Sequence, residues 1–269
     1  MSAHRNRIAR RAPVRLPSRR IVSLAPSTTS ILLALGAGRE LVGVSKWCKD
    51  VAPTGRRPQV GDCWKMDIAE VMRLQPTLLV GSVPFSTSTV EGVLKQPVSF
   101  LAINPRSLAD IESDIRTLAR LANRAAAGER LILKMRSAFE RVASRAARLR
   151  TPTLPRVYCE AWPHPRISSP PWVAELVALA GGRMVVPAGE RVSDAQVARA
   201  KPDVIILAWA ATGSRAKASS ALRNAAWQDV PAVRNGRVVV IRDELLNTPG
   251  PPLTRGIELL FRAIHPGRD

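Results

Sequence analysis

The sequence predicts an α/β protein: two Rossmann-like lobes with mostly parallel sheets, joined by one long helix. Three observations carry that expectation. Residues 67–80 and 193–206 align without a gap, and Ala69, Val71, Arg73 and Pro76 recur as Ala195, Val197, Arg199 and Pro202. Each copy reads as a short helix stopped by proline, then a buried apolar strand. A second echo sets Ala34-Leu-Gly-Ala-Gly-Arg39 against Ala178-Leu-Ala-Gly-Gly-Arg183, a helix ending in glycine in both halves. Between the repeats, residues 125–150 hold the longest helical pattern in the chain.

The elements follow in order. Residues 20–24 read as a buried strand, and Pro26-Ser-Thr-Thr as the turn and N-cap of a helix over 27–35 that stops at Gly36. Strands are expected at 41–44, 77–80 and 98–102, with helices at 67–74 and 87–94 between them. The strand segments are continuously apolar, as parallel strands covered on both faces require. Residues 107–122 form an amphipathic helix through Leu108, Ile111, Ile115, Leu118 and Leu121. The pattern over 125–150 follows Leu131, Met135, Phe139, Val142 and Leu149, and its other face is rich in arginine. At 1.5 Å per residue such a helix spans roughly 40 Å, more than one lobe needs, and reads as a rigid connector. The second half has strands at 156–160, 203–208 and 237–241, a loop over 161–171, and helices at 172–180, 218–226 and 253–264. The expected division is a basic disordered tail over 1–19, a first lobe over 20–124, a connector over 125–151 and a second lobe over 152–269.

The 269 residues suffice for two ordinary α/β units, and an apolar content of 46% is that of a globular chain. The net charge of +20 comes largely from 34 arginines. Seven of them fall within residues 1–20, a stretch without an acidic residue. Elsewhere the charge is dispersed, so a basic surface is expected and no nucleic-acid partner. Neither a signal-peptide core nor a membrane span of about 20 apolar residues is legible, and the expected location is cytoplasmic as the chain is written, or periplasmic if its true start lies upstream. Cys48, Cys63 and Cys159 lack metal-site spacing and read as reduced thiols; a Cys48–Cys63 pair would require export.

Six tryptophans stand against one tyrosine and four phenylalanines. Trp47, Trp162 and Trp209 follow strands, and Trp64 sits in a loop before a helix. Loops leaving the carboxyl ends of parallel strands form the ligand crevice of such folds. Four indoles there would make an apolar slot for a large flat ligand. Phe85 and His164 are further candidates, His164 as a group near a metal carried by the ligand. Trp172 opens a helix and Trp227 ends one, which assigns both to the core. No GxSxG, HExxH or P-loop pattern occurs, and the Ser27-Thr28-Thr29-Ser30 hydroxyls read as helix caps. No catalytic residue, resident cofactor or metal site is expected.

Arg20-Ile-Val-Ser-Leu-Ala-Pro-Ser-Thr-Thr-Ser30, Val42-Gly-Val-Ser45 and residues 67–80 and 192–206 carry a resemblance over about residues 20–265. The chain resembles the cobalamin-binding members of the periplasmic substrate-binding proteins of ABC importers, within the iron-siderophore/cobalamin group. The resemblance implies two lobes on one long helix, a corrinoid such as cobalamin in the cleft, and no catalysis. By position Trp47 and Trp64 match aromatics lining the corrin site, and Trp162 an aromatic of the second lobe. A siderophore or heme binder, or a cytosolic enzyme or cofactor chaperone using the same cleft, is the alternative. The glutamates that dock the family's lobes on a permease are replaced by Ala69 and Ala195, with Glu70 and Asp194 one residue away. The loop 243–252 lacks the aromatic some relatives place there. These departures imply a soluble corrinoid carrier, a monomer, for which an ABC permease partner is doubtful.

Overall fold

The structure is a computed structural model that describes residues 19–149, 153–210 and 216–268. The tail expected over 1–19 lies outside the described residues except for Arg19. Strands β1 (Ile21–Ser23), β2 (Leu41–Ser45), β3 (Gln59–Val60), β4 (Leu78–Ser82) and β5 (Ser99–Ile103) form an all-parallel sheet in the order β3-β2-β1-β4-β5. Between them run α1 (Pro26–Ala34), α2 (Ile68–Arg73) and α3 (Thr87–Leu94), followed by α4 (Leu108–Leu121). The second sheet holds β6 (Arg156–Pro163), β7 (Arg166–Ser168), β8 (Arg183–Met184), β9 (Val204–Leu207) and β10 (Val238–Val240). Its order is β10-β9-β6-β7, with β8 also on β6, and only β7 is antiparallel. The α/β class with two mostly parallel sheets is therefore as the sequence predicted, and the sheets have five strands each where the sequence showed four and three.

Helix α5 (Ala125–Arg148) runs between the sheets for about 36 Å. It buries Ile132, Met135, Phe139 and Val142. Gly128 allows a close crossing with α4, since a Cβ there would lie 2.6 Å from the Ala119 methyl. Its later turns pack on α6 (Pro171–Leu179) and α10 (Leu253–Ile264) of the second lobe, and Arg145 reaches Glu258 at 2.8 Å. One apolar core consequently runs from Ile21 and Ile31 in the first lobe through Met135 to Val173 and Phe261 in the second. The lobes share a core rather than hanging from a linker.

The internal repeat is structural. Asp67 caps α2 by accepting from the Ala69 and Glu70 N–H groups. Ser193 caps α7 (Asp194–Ala200) in a box with Gln196. Each helix ends on a left-handed residue before its proline, Gln75 at φ 47° and Lys201 at φ 46°. The glycine echo is real but displaced by one residue from the sequence match. Gly36 corresponds to Gly181, both at φ 77°, not to Ala180. In both, the following N–H bonds back to a helical carbonyl, Ala37 to Leu32 and Gly182 to Val177.

Three sequence expectations are corrected. The loop over 161–171 contains a hairpin: β6 continues to Pro163 and pairs with β7, so Trp162 lies within a strand opposite Ile167. The helix over 218–226 shrinks to α8 (Ser219–Leu222) and a 3-10 turn at Ala225–Trp227, with α9 (Pro231–Arg234) after it. The Ser27–Ser30 hydroxyls do not cap α1, whose N-cap is Ala25. Thr28 and Thr29 turn into the core, where both bond Ser23 Oγ and Thr29 Oγ1 reaches Cys48 Sγ at 3.0 Å. Cys48, Cys63 and Cys159 are buried and free. Among the described residues no helix is long and apolar enough to cross a membrane.

Candidate functional site

A cleft of about 720 Å³ opens between the lobes. Its first wall forms where the β1 and β4 strands end, around Leu24–Ser27 and Ser82–Pro84. These are neighbours in the sheet whose connections leave in opposite directions, the point at which open α/β sheets hold ligands. The second wall comes from Trp172, Ala210 and the segment from Arg242 to Pro249. Arg242 bridges the lobes by donating to the Asp50 carbonyl at 3.2 Å while it pairs with Glu244. Elsewhere the Leu108 N–H bonds Glu175 across the lobes at 3.2 Å.

Two indoles stand on the first wall, Trp47 at 37% exposure and Trp64 at 62%. An isolated surface indole is unusual; two beside one crevice form an apolar landing surface. One carboxylate holds the Trp47 ring and the Trp64 backbone. Asp62 Oδ2 accepts from Trp47 Nε1 at 2.8 Å and faces Lys46 at 3.2 Å. Its Oδ1 accepts from the backbone N–H groups of Trp64 and Lys65, each at 3.0 Å. Partial burial alone would raise the Asp62 carboxyl. The donors from Trp47, Lys65, Lys46 and Trp64 outweigh that and hold it below its ordinary 3.8. The charge therefore persists at neutral pH and fixes the Trp47 ring and the loop that carries Trp64. Lys46 Nζ also lies over the Trp47 ring, 4.9 Å from its centroid.

Of the six residues expected to bind ligand, Trp47 and Trp64 line this cleft, and Phe85, Trp162, His164 and Trp209 are not among its described lining residues. Trp209 packs on the second-lobe core and donates to Glu160 Oε1 at 2.8 Å. Glu160 is fully buried and also takes bonds from Tyr158 Oη and Arg166, both at 2.7 Å. Trp162 is 40% exposed on its hairpin, with its indole N–H on the His164 carbonyl at the turn. Phe85 lies edge-on to Phe100 in the first-lobe core. The indole that the second lobe does bring to the cleft is Trp172, assigned to the core from sequence. It belongs to both: 8% exposed, with Nε1 on the Leu246 carbonyl at 2.9 Å, it presents an edge to the crevice. Trp227 is fully buried in the core. Cys63 also lines the cleft, its thiol donating to the Leu24 carbonyl at 3.1 Å and pushed by burial up to about 12. Among the described residues no cluster of His, Cys, Asp and Glu has the arrangement of a metal site.

Residues 21–245 match the model of a family described as periplasmic binding protein. An uncharacterized ABC transporter substrate-binding lipoprotein of Bacillus subtilis is 24% identical over 260 residues, covering 92% of this chain and 80% of the relative. A vitamin B12-binding protein of Vibrio parahaemolyticus is 24% identical over 245 residues, 87% of this chain and 85% of the relative. Two solved structures share the fold. A periplasmic heme binding protein from Pseudomonas aeruginosa superposes with a TM-score of 0.81 at 23% identity, over 93% of each chain. The periplasmic vitamin B12 binding protein of Vibrio cholerae does so at 0.73 and 21%, over 92% of this chain and 97% of that one.

Proposed function

This chain belongs to the periplasmic binding protein family, a family of binding proteins rather than enzymes, and from that premise we propose that its cleft binds a corrinoid, with cobalamin as the reference ligand. The observation that carries the reading is the pair of exposed indoles, Trp47 with its ring and Trp64 with its backbone held by Asp62, in a cleft that Trp172 also lines. A ring oriented before the ligand arrives, as Trp47 is, loses little freedom on binding, and tryptophan offers a large flat area for stacking. The continuous core through α5 keeps the lobes close to one geometry, so the ligand enters a largely formed slot.

A second feature favours a corrinoid over heme. Heme iron is ordinarily held by a histidine, a cysteine thiolate, a methionine or a tyrosine. The single tyrosine, Tyr158, is buried under Glu160, and none of the described residues lining the cleft is histidine or methionine. The one thiol there, Cys63, stays protonated at neutral pH. A cobalamin brings its own axial base and needs no such side chain. The names of the vitamin B12-binding relatives agree with this reading.

Delivery to an ABC permease is the family's use for such a cleft. Ala69 and Ala195 are exposed in the first turns of α2 and α7, where the resemblance places docking glutamates. Asp194 is already engaged by Arg166 at 2.6 Å and Asn224 at 3.0 Å. Any permease contact would therefore lean on Glu70, and a carrier role without a permease is the sharper form of the proposal. Equilibrium dialysis against cobalamin and heme tests the ligand: cobalamin retention at micromolar concentration is expected. Retention of heme alone would replace the corrinoid with a porphyrin.

A further inference from the structure

The longest helix turns a basic face outward. Arg130, Lys134, Arg141 and Arg148 of α5 are exposed, and none of the four makes a hydrogen bond or ion pair among the described residues. At 100° per residue they fall within about 40° of arc, one straight line about 27 Å long. Ser137 and Ser144 run beside it, and with Arg141 and Arg148 they line an open depression of about 480 Å³. Arg145 and Glu140 complete its rim. Over Ala125–Arg148 six basic residues stand against two acids, Glu129 and Glu140. Glu129 is already paired with Arg116, as Arg145 is with Glu258 and Arg136 with Glu112. The four cations of the line are therefore left unneutralised by the protein itself.

A row of exposed cations suits a partner that presents many negative charges along a line. Lipid headgroups and nucleic-acid phosphates both do so, and the surroundings of the cations separate the two. Leu133, between Arg130 and Lys134, is 61% exposed. Such a side chain gains by entering the boundary between headgroups and acyl chains, which a phosphate backbone does not offer. Phe139, the aromatic residue of α5, is buried, so no ring is left to stack on unpaired bases. A duplex major groove about 12 Å wide admits one bare helix, whereas α5 is packed against α4, α6 and α10.

We propose that this face of α5 docks on an anionic lipid bilayer. Arg130, Lys134, Arg141 and Arg148 meet headgroup phosphates, the Ser137 and Ser144 hydroxyls donate beside them, and Leu133 enters the interface. Each basic residue near an anionic leaflet adds to the attraction, and salt screens it. None of the residues lining the ligand cleft belongs to α5, so the docked protein keeps those residues uncovered. Docking there is independent of which ligand the cleft holds.

The test is sedimentation of the full chain with vesicles of phosphatidylcholine containing one-third phosphatidylglycerol. Binding is expected at low salt, with loss at high salt and none to phosphatidylcholine alone. Arg141→Gln with Arg148→Gln keeps good helix formers at both positions and is expected to weaken binding about thirtyfold, at about fivefold per charge. The control pair is Arg199→Gln with Arg234→Gln, an equal loss of charge at exposed positions of α7 and α9. Those helices pack on the other face of the second sheet, and the control is expected to change binding less than about threefold. Every variant keeps the seven arginines of residues 1–20, so a contact made by them instead would leave the α5 variant unchanged. No binding to the anionic vesicles, an α5 variant within about threefold of the unaltered chain, or a control that falls as far overturns the proposal. Tighter binding to a DNA duplex at equal phosphate concentration would replace the bilayer with nucleic acid.

Discussion

Asp62 makes the strongest demand on the proposed mechanism, because one carboxylate holds the Trp47 indole and the backbone that carries Trp64. Replacing it by asparagine keeps the shape and removes the charge and half of the acceptor capacity. With the amide oxygen on the Trp64 and Lys65 N–H groups, its N–H2 faces Trp47 Nε1, donor against donor. A hydrogen bond to an ionised acceptor contributes about 1.5–3 kcal/mol, and the exposed Lys46 pair adds little. The expected cost is therefore about 2 kcal/mol, a Tm fall of about 4–8 °C for a chain of this size. The freed Trp47 side chain must be ordered again by the ligand, at about 0.5–1.5 kcal/mol, so cobalamin should bind about threefold to tenfold more weakly. The pH dependence adds a sign. The depressed pKa means the carboxylate's contribution is complete above its ordinary 3.8 and is lost as pH falls through the lower folded value. Thermal melts of the two proteins should thus differ at pH 7 and converge in acid. Equal melts and equal affinities at pH 7, or a difference undiminished in acid, would refute the role assigned to Asp62.

Three further outcomes follow from the same geometry. Trp64→Ala should weaken cobalamin by at least tenfold, since covering an indole that is 62% exposed is worth about 1.5–3 kcal/mol, while Trp162→Ala changes affinity less than twofold in the same titration. Asp114 on α4 has an unpartnered buried Oδ2, and burial followed by the Asp110 charge pushes its carboxyl up to about 6. A raised carboxyl binds more protons folded than unfolded, so stability falls between about pH 4 and 6 and stays reduced above. The full two-unit shift corresponds to nearly 3 kcal/mol, which partial solvent screening reduces to about 1. Asp114→Asn should recover that amount at pH 7 and nothing at pH 4 in urea denaturation. Cys63 should resist iodoacetamide at pH 8, reacting on the order of a thousandfold more slowly than a free thiol with its ordinary pKa, because burial holds it protonated. Rapid labelling followed by peptide mapping to Cys63 would contradict its buried, protonated state.

What the sequence revealed and what it hid divide along physical lines. The parallel strands were legible because both their faces are covered, which writes a continuous apolar run such as Val204–Leu207. Helix α5 was legible because it buries one face over its whole length. The short edge strands β3, β7 and β8 were not: two or three residues carry too little pattern, and register comes from the neighbouring strand. Trp47 could be placed because it follows a strand and Trp64 because it lies in the loop before α2, and the resemblance marked both. Trp209 obeys the same logic, yet Glu160 captures it. A fully buried carboxylate needs several donors, and an indole N–H two residues past β9 is in reach. Local position fixes where a side chain starts; only the partner set, assembled from distant strands, fixes where it ends.

Trp172 is the instructive omission, because the internal repeat points to it once the register is right. Helices α1 and α6 are both nine residues long, both begin with proline, and both close on a glycine at φ 77°. In that register Pro26 answers to Pro171 and Gly36 to Gly181, so Ser27 answers to Trp172. The sequence echo favoured a register one residue away because it matched Ala34-Leu35 to Ala178-Leu179, and a serine and a tryptophan share no chemistry that would have signalled the true one. Two lobes of one design each point the start of a nine-residue helix at the same crevice, and the second helical residue of each faces it. One copy delivers hydrogen-bond donors and the other an apolar edge. A cleft with unlike walls suits a ligand that is a flat ring in one part and a polar arm in another. Replacing Trp172 by phenylalanine keeps most of the buried volume and should weaken cobalamin about threefold in a titration of the folded variant. Unchanged affinity in that variant would mean that the start of the second helix does not define the site.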